Sequence, residues 1–162
     1  MDSIAFESTA ALLKKSGFTI IKEDRSRPWG GFYVIDEMQA AAFAKTFFPD
    51  EDFESLKLSD KLSPKILMVA PNKRLSWQYH HRRAEIWRCI DGEVAVATSD
   101  TDHETEKHIL KPGDKIKLKQ GKRHRLIGLN NWGIVAEIWQ HTDAAHPSDE
   151  DDIIRLQDDF GR

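Results

Sequence analysis

Four side chains that can bind a metal ion lie in two short stretches of the sequence. Gln78, His80 and Glu85 fall within eight residues, and His124 follows in the separate stretch 121–126. Residues two apart on a β-strand share one face of the sheet, so Gln78 and His80 are expected to point the same way. Glu85 can rejoin them after a short irregular step. An amide oxygen, two imidazoles and a carboxylate on neighbouring strands are suitable ligands for a divalent metal with positions left open for substrate.

The order of these residues resembles the two motifs of cupins, a superfamily of double-sheet jelly-roll barrels. Cupins carry His-x-His, then Glu, then Gly in a first motif, and Pro-x-Gly followed by His in a second. The matching positions here are Gln78, His80, Glu85 and Gly92 in the first motif and Gly113, Gly121 and His124 in the second. Gln takes the place of the first motif's first His. The resemblance implies a cupin fold and one divalent metal held by the four side chains described above.

More of the chain resembles one branch of the cupins, the C-terminal domain of type II phosphomannose isomerases. The resemblance covers residues 27–35 and 65–162, and those isomerases are similar to this chain in carrying Gln at the first ligand position. The segments that carry the resemblance are Arg27-Pro28-Trp29-Gly30, residues 78–87, Asp151-Asp152-Ile153-Ile154-Arg155 and Asp158-Asp159-Phe160-Gly161-Arg162. In those bifunctional enzymes the domain follows a guanylyl transferase domain, which 162 residues are too few to include.

The ligand types do not select one metal. Two nitrogen and two oxygen ligands suit zinc, which we expect first, and also manganese, iron, cobalt or nickel. A lone histidine is more often a satisfied polar residue than a ligand, but four side chains at matching cupin positions favour a metal site. His81 is one position out of phase with His80 and is expected beside the site or at the surface. The remaining histidines, His103, His108, His141 and His146, are expected to be solvated.

The resemblance implies a metal-dependent aldose–ketose isomerase, with mannose 6-phosphate converted to fructose 6-phosphate as the expected reaction. Such a reaction moves a proton between C1 and C2 through an enediol, with a metal that stabilises the enediolate and a base that carries the proton. Arg83 matches the arginine of the family's His-Arg-Ala-Glu segment and is expected to hold or polarise the substrate. The base stays open among His81, Lys117 and Glu137, and His81 is the one placed with Arg83 in catalysis.

A sugar phosphate carries two negative charges near neutral pH, so its site requires cations. Arginine can bind phosphate through two parallel hydrogen bonds. Most side chains in charged runs are solvated, and the residues expected at the substrate are Arg27, Lys117, Arg155 and Arg162. Arg155 and Arg162 match arginines of the family's C-terminal signature, while a solvated charge stays equally open for Arg27.

Other functions stay open. The chain could bind a sugar or sugar phosphate without catalysis, for sensing or regulation, and an empty or apolar pocket mouth would favour this. It could also isomerise another sugar, or be a different metallo-cupin enzyme such as a dioxygenase, although Gln78 counts against the latter. Fold alone does not decide, because cupins host many functions.

The second motif departs from the cupin pattern at two positions. Lys119 stands where a Pro usually precedes the motif's Gly by two residues, and Gly128 stands where Asn is usual. Neither change removes a ligand, but both are expected to alter the turns that position His124.

Composition points to one globular domain, and the resemblance implies a sugar phosphate as its small-molecule partner. The net charge of −3 argues against a general nucleic-acid binder, which requires a basic face. The single cysteine, Cys89, excludes an internal disulfide and is expected to be a buried structural thiol. No signal-peptide pattern or long apolar run is present, so we expect a cytoplasmic protein that does not enter a membrane. The resemblance to cupins implies a homodimer.

The pattern of many short strands predicts a β-sandwich or small barrel, and the resemblance implies one all-β cupin domain over residues 1–162, with extra helices. Its parts are an N-terminal helix (1–17), a helical insertion (37–62), the barrel core (63–142) and a C-terminal segment (143–162). The first helix is expected over residues 4–15, capped by Ser3 and stopped by Gly17. Residues 25–31 read as a loop, and residues 153–160 as a short helix or an edge strand. The insertion is expected to be a surface elaboration with no role in the chemistry, with a cover over the barrel mouth or part of a dimer interface as alternatives.

Overall fold

The computed structural model of the protein describes residues 3–161, which form two antiparallel β-sheets with helices outside them. The helices are α1 (Ser3–Lys15), a 3-10 helix (Glu37–Gln39), α2 (Ala40–Phe47) and α3 (Phe53–Leu56). The strands are β1 (Ile20–Arg27), β2 (Gly30–Ile35), β3 (Lys65–Val69), β4 (Trp77–Tyr79), β5 (Arg83–Asp91), β6 (Val94–Ser99), β7 (Glu106–Leu110), β8 (Lys115–Leu118), β9 (Arg123–Gly128), β10 (Gly133–His141) and β11 (Ile154–Gln157). The strand orders are β1-β2-β3-β10-β5-β8 in the six-stranded sheet and β11-β4-β9-β6-β7 in the five-stranded sheet. The predicted all-β jelly roll with added helices is confirmed.

Side chains of the six-stranded sheet alternate between two apolar cores, as the period of a strand requires. On β3, Leu67 and Val69 pack into the core between the two sheets, whereas Ile66 and Met68 pack into a second core on the outer face. Every residue of β3 is buried, so its sequence is a continuous apolar run after its first residue rather than an alternating one. The core between the sheets is the one that leads to the candidate metal ligands.

The outer core is built by α1 and the helical insertion, residues 37–62. Helix α2 buries Phe43 and Phe47, whose ring centroids are 4.8 Å apart, against the outer face of the six-stranded sheet. Leu13 of α1 is fully buried in the same cluster. The insertion is therefore part of the packed core rather than a surface elaboration. It also lies on the opposite side of the sheet from the space between the sheets, which corrects the alternative of a cover over the barrel mouth.

The N-terminal helix ends at the predicted residue, whereas the hairpin that follows it differs from its prediction. Helix α1 ends at Lys15, and Gly17 adopts the positive φ of +87° that is common where helices stop. The cap predicted at Ser3 lies outside the described side chains. Strand β1 continues to Arg27, so residues 25–31 belong to a β-hairpin and not to a loop. A strand is predicted only over residues 18–22, because the mostly exposed second half of this edge strand lacks the apolar residues that indicate one.

The C-terminal segment forms β11 at the edge of the five-stranded sheet, beside β4, which confirms the edge-strand alternative for residues 153–160. None of the helices among the described residues combines the length and the hydropathy needed to cross a bilayer. The homodimer stays a prediction.

Candidate metal centre and active-site cavity

His80, Glu85 and His124 meet in the space between the two sheets. Their potential ligand atoms lie within 4.8 Å of one another. Nε2 of His80 is 3.3 Å from Oε2 of Glu85, and Nε2 of His124 is 3.4 Å from Oε1 of the same carboxylate. All three side chains are buried. The two histidines therefore face opposite oxygens of one carboxylate, with their nitrogens directed at a common point.

The two sheets contribute to this cluster in a specific way. Gln78 on β4 lies directly opposite His124 on β9, and residues opposed in this manner point to the same face of a sheet. After β4 the chain bends at residues 81–82 and enters β5, which belongs to the other sheet. Glu85 therefore reaches the histidines from across the core. The irregular step predicted between His80 and Glu85 is the crossing from one sheet to the other.

Hydrogen bonds fix the orientation of both imidazoles. Nδ1 of His80 donates to the backbone carbonyl of Asp152 at 2.7 Å, and Nδ1 of His124 donates to the carbonyl of Lys122 at 2.9 Å. Because a carbonyl can only accept, each ring carries its proton on Nδ1 and presents the lone pair of Nε2 to the cluster. This arrangement is typical of metal-binding histidines, whose second nitrogen donates to a carbonyl or a carboxylate.

The donor set fits a divalent metal. Nε2 of His124 is buried and has no hydrogen-bond partner among the described residues, which is uncommon for a buried polar atom. A metal ion would use this lone pair. Gln78 is also buried, and its Oε1 accepts only a 3.2 Å hydrogen bond from Ser76 among the described residues, which leaves a second lone pair for a metal. The set of two nitrogen and two oxygen donors suits zinc and the other metals predicted above without choosing among them.

Arg83 joins the cluster from the same face of β5 as Glu85. Its Nε donates to Oε2 of Glu85 at 2.7 Å, and one terminal nitrogen lies 3.2 Å from Nε2 of His80. Its guanidinium carbon lies 3.5 Å from the centroid of the Trp139 ring. Burial alone would raise the pKa of Glu85, but the charge of Arg83 leads the opposing interactions that hold this pKa well below its usual range. Burial, together with the charge of Arg83, lowers the pKa of His80 to about 4, so its imidazole is neutral at pH 7.

A cavity of about 460 Å³ opens beside the cluster, on the inner face of the six-stranded sheet. Its walls combine the ligands Gln78 and Glu85, aromatic rings and charged groups of both signs. The aromatic and charged lining residues are Trp29, Phe32, Trp87, Trp139, Arg27, Lys65, Arg83, Arg155, Glu137, Glu150 and Asp151. None of the described residues that line it belongs to the helical insertion.

Glu137 is a buried carboxylate in the wall of this cavity. Its Oε2 accepts a 2.7 Å hydrogen bond from the indole of Trp87, and its Oε1 accepts a 2.9 Å bond from the indole of Trp139. Burial, reinforced by the negative charge of Glu85, raises the pKa of Glu137 to about 8. Among the three candidate bases, Glu137 is the one that lines the cavity.

The other two candidate bases lie elsewhere. His81 is exposed in the bend between the sheets, where its ring packs edge-on against Tyr79. The Lys117 side chain is 59% exposed, and its Nζ pairs with Glu51 at 3.0 Å. Lys117 points outward because its neighbour Leu118 occupies the core between the sheets. The structure therefore does not bring His81 or Lys117 to the site, in contrast to the roles predicted for them.

Two of the three predicted substrate-binding arginines, Arg27 and Arg155, lie within the described residues. Arg27 and Arg155 both line the cavity; Arg27 pairs with Asp24 at 3.0 Å, while the side chain of Arg155 has no ion pair among the described residues. Arg162 lies outside the described residues.

Lys65 is a cavity cation that was not predicted from the sequence. Its position could have been found, since it is two residues before Leu67 and therefore shares that residue's inward face.

A polar segment before β11 braces the bend that carries His80. The carboxylate of Asp152 accepts hydrogen bonds from the backbone N–H groups of His81 and Arg82, both at 2.9 Å, and from the Ser148 hydroxyl at 2.6 Å. Burial alone would raise the pKa of Asp152, but these bonds bring it down to about 2. Ser148 also accepts a 2.9 Å bond from Arg83. The first part of the C-terminal segment (143–162) is thus part of the site.

His141 is a correction to the prediction that it is solvated. Its side chain is fully buried, Nδ1 accepts a hydrogen bond from the Ser148 N–H at 3.0 Å, and Nε2 lies 2.9 Å from the hydroxyl of Ser63. Burial lowers its pKa to about 4. The buried thiol predicted at Cys89 is confirmed.

The two departures from the cupin pattern do not disrupt the site. Gly121 keeps a φ of +80°, and its N–H donates to the carbonyl of His80 at 3.1 Å, so the turn forms with Lys119 in place of Pro. Gly128 stands where a side chain cannot fit, because a Cβ there would lie 2.1 Å from the carbonyl oxygen of Ala70. Lys119 and Gly128 are therefore both compatible with the backbone that leads into and out of the strand of His124.

A family model described as mannose-6-phosphate isomerase C-terminal matches residues 36–158. The chain belongs to this family. The alginate biosynthesis protein AlgA of Pseudomonas aeruginosa is 27% identical over 165 residues, which cover 98% of this chain and 32% of AlgA. The mannose-1-phosphate guanylyltransferase of Escherichia coli K12 is 29% identical over 118 residues, which cover 73% of this chain and 23% of that protein. The chain thus spans about a third or less of these relatives.

Among solved structures, CapF with the inhibitor 3-isopropenyl-tropolone has a TM-score of 0.58 at 11% identity, covering 84% of this chain and 34% of CapF. This likeness concerns the fold alone. The two facing sheets and the family assignment establish the predicted cupin fold for this chain.

Proposed function

We propose that this chain is a metal-dependent aldose–ketose isomerase of a sugar phosphate, with mannose 6-phosphate and fructose 6-phosphate as the first pair to test. One observation carries the proposal. The buried carboxylate of Glu137, with its raised pKa, lines the same cavity as Arg83 and the metal ligand Glu85. Groups whose pKa values are moved toward neutrality and that face a cavity are characteristic of catalytic sites.

The metal would be held by Gln78, His80, Glu85 and His124. A divalent ion there supplies a positive charge that stabilises negative charge on the substrate's oxygens. The remaining chemistry falls to side chains of the cavity wall.

Glu137 is the proton carrier in this proposal. Its carboxylate takes the proton from C2 of the aldose, the electron pair of the C2–H bond forms the C1=C2 double bond, and the negative charge moves to O1. The proton of the C2 hydroxyl passes to O1, Glu137 returns its own proton to C1, and the carbonyl reforms at C2. The indole N–H groups of Trp87 and Trp139 hold the carboxylate in one orientation and stabilise its charged form.

Arg83 stabilises the charge that develops on the substrate oxygens. Its guanidinium is fixed by Glu85 on one side, by Ser148 on another and by the face of Trp139. A cation that is held in place before the reaction contributes more than a mobile one, because it needs no reorganisation as charge develops.

The phosphate group is assigned to the cations at the cavity wall other than Arg83, which are Lys65, Arg27 and Arg155. Arg155 has no ion pair among the described residues, and the ion pair of Arg27 is its 3.0 Å contact with Asp24. Both can present two N–H groups to a phosphate. Aromatic rings supply the apolar surface that a ligand pocket requires beside its few polar groups.

The experiment is an assay of metal-stripped protein before and after addition of zinc or manganese, with mannose 6-phosphate as substrate. We expect isomerisation to appear with metal, together with partial incorporation of solvent deuterium at C1 of the ketose, because the proton held by Glu137 can exchange with solvent before its return. Binding of the sugar phosphate without turnover by any metal would favour the non-catalytic sugar-binding function. Turnover with a different sugar phosphate alone would keep the reaction class and change the substrate.

A further inference from the structure

The environment of Lys65 is unusual for a lysine. Its side chain is only 8% exposed, and its Nζ lies 4.8 Å from the centroid of the Phe32 ring and 5.0 Å from that of Trp139. A buried ammonium group requires a nearby anion, because loss of hydration is unfavourable. Among the described residues, its ion-pair partner is Glu150, at 2.8 Å.

The two members of this ion pair are held very differently. Lys65 is the first residue of β3, in register with Glu137 of β10, and is fixed by packing. Glu150 belongs to the segment between β10 and β11, and its side chain is 63% exposed. The carboxylate of Glu150 can therefore turn into solvent when another anion takes its place, whereas Lys65 stays in its packed position. An anion other than Glu150 can take the same position.

The exposed position of Glu150 is next to the substrate cavity. Lys65, Glu150, Arg27 and Arg155 all line it. A phosphate dianion interacts with a cation more strongly than a single carboxylate does at equal distance, since the interaction scales with the product of the charges. A ligand that enters this cavity with a phosphate group thus competes with Glu150 for Lys65.

We propose that Lys65 binds the phosphate group of the substrate and that the carboxylate of Glu150 occupies this position until a phosphorylated ligand displaces it. The substrate class rests on the proposed function above. The exchange has a consequence for specificity. A sugar without a phosphate cannot replace Glu150 at Lys65, so the resident carboxylate discriminates against unphosphorylated sugars.

The test compares Glu150→Gln with Asp151→Asn, a matched control. Asp151 also lines the cavity, is exposed, and has no ion pair among the described residues. Calorimetric titration with inorganic phosphate and with mannose 6-phosphate measures the affinity without requiring turnover. We expect Glu150→Gln to bind both ligands about threefold to tenfold more tightly, the range of a partly exposed ion pair, and Asp151→Asn to change affinity by less than about twofold.

Equal increases in phosphate affinity in Glu150→Gln and Asp151→Asn would overturn the proposal, because they would reflect only the loss of general negative charge at the cavity mouth. Unchanged or weaker binding in Glu150→Gln would overturn it as well, and so would a wild-type protein that binds neither ligand. Lys65→Met provides a second measurement, with an expected loss of phosphate binding of tenfold or more in a variant whose Tm shows that it folds. If the wild type binds phosphate as expected but does not isomerise any sugar phosphate, the proposed function fails while this inference stands.

Discussion

Arg83 and Glu85 form a buried ion pair, with Nε of the arginine 2.7 Å from Oε2 of the carboxylate, on the inner face of one strand. The same carboxylate is the group that both ligand histidines face. In the absence of a metal, Arg83 is thus the main positive charge that compensates Glu85. A bound metal ion would share this task.

Substitution of Arg83 should therefore destabilise the protein more without metal than with it. Removing one partner of a buried ion pair leaves an uncompensated charge and typically costs about 3–5 kcal/mol. We expect Arg83→Met to lose stability of this order in metal-free protein and clearly less in the presence of zinc. Urea denaturation of both forms measures the difference. Arg74→Met, which breaks the exposed pair with Asp159, is the control and should show little dependence on zinc. An equal loss with and without zinc would mean that the metal does not neutralise Glu85.

The metal assignment predicts that two neighbouring histidines behave differently. His80→Ala removes a buried ligand candidate, whereas His81→Ala removes an exposed imidazole. We expect the first variant to lose most of its bound zinc after dialysis and the second to retain it, as measured by elemental analysis. If His80→Ala and His124→Ala each retained zinc, the metal site would have to lie elsewhere.

The clustering of His80, Glu85 and His124 could be predicted from sequence, through their order and their match to the cupin motifs. Glu85 is an informative case. The sequence indicates an irregular step before it, but only the fold shows that this step crosses between sheets and turns the carboxylate back toward His124. The prediction for Lys117 was wrong because Leu118 points into the core between the sheets, which turns Lys117 outward. In a strand of alternating Lys and apolar residues, the sequence alone does not say whether the lysines or the apolar side chains face the cavity.

The bracing segment before β11 was harder to foresee. It acts through the backbone carbonyl of Asp152 and through a carboxylate that binds backbone N–H groups, and neither contact leaves a pattern of apolar residues. The resemblance to the family's Asp-Asp-Ile-x-Arg segment drew attention to Arg155 and not to Asp152. Lys65 was missed for a related reason, because a charged residue at the start of an apolar strand is usually read as its solvated end.

Glu137 should control the rate without controlling binding. Glu137→Gln keeps the shape of the side chain but cannot accept a proton, so we expect kcat to fall by about 10²–10⁴. Zinc content and phosphate affinity should stay within about twofold. The wild-type rate should rise with pH, since Glu137 must be a carboxylate to take the proton. The midpoint of this rise should lie at or below about pH 8, because a bound cation would lower the pKa of Glu137. A variant that keeps wild-type kcat would assign the proton transfer to another group.

Acid should destabilise the protein through His141. The pKa of His141 is about 4 in the folded protein against the usual 6.5, so between these values the unfolded chain binds more protons than the folded one. Stability is therefore complete above pH 6.5 and falls as the pH falls toward 4, by about 2 kcal/mol between pH 7 and pH 5. Urea denaturation of His141→Gln should show a smaller loss over the same interval, with the exposed His103→Gln as the matched control. If the free energy of unfolding depends on pH in His141→Gln as it does in the wild type, then other groups cause the acid sensitivity.

Asp152 should support metal binding without touching the metal. Its carboxylate holds the backbone of His81 and Arg82, and therefore the position of the adjacent His80. We expect Asp152→Ala to weaken zinc binding by about 10- to 100-fold, as is common when the groups that orient a ligand are removed, and to lower the free energy of unfolding because buried N–H donors lose their acceptor. Asp152→Asn keeps one acceptor oxygen and should lie between this variant and the wild type. Competition with a chromogenic chelator measures the affinity, and Asp151→Asn serves again as the exposed neighbour. If folded Asp152→Ala binds zinc within about twofold of the wild type, then the bend keeps His80 in place without this carboxylate, and the orientation of the ligand comes from the carbonyl of residue 152 alone.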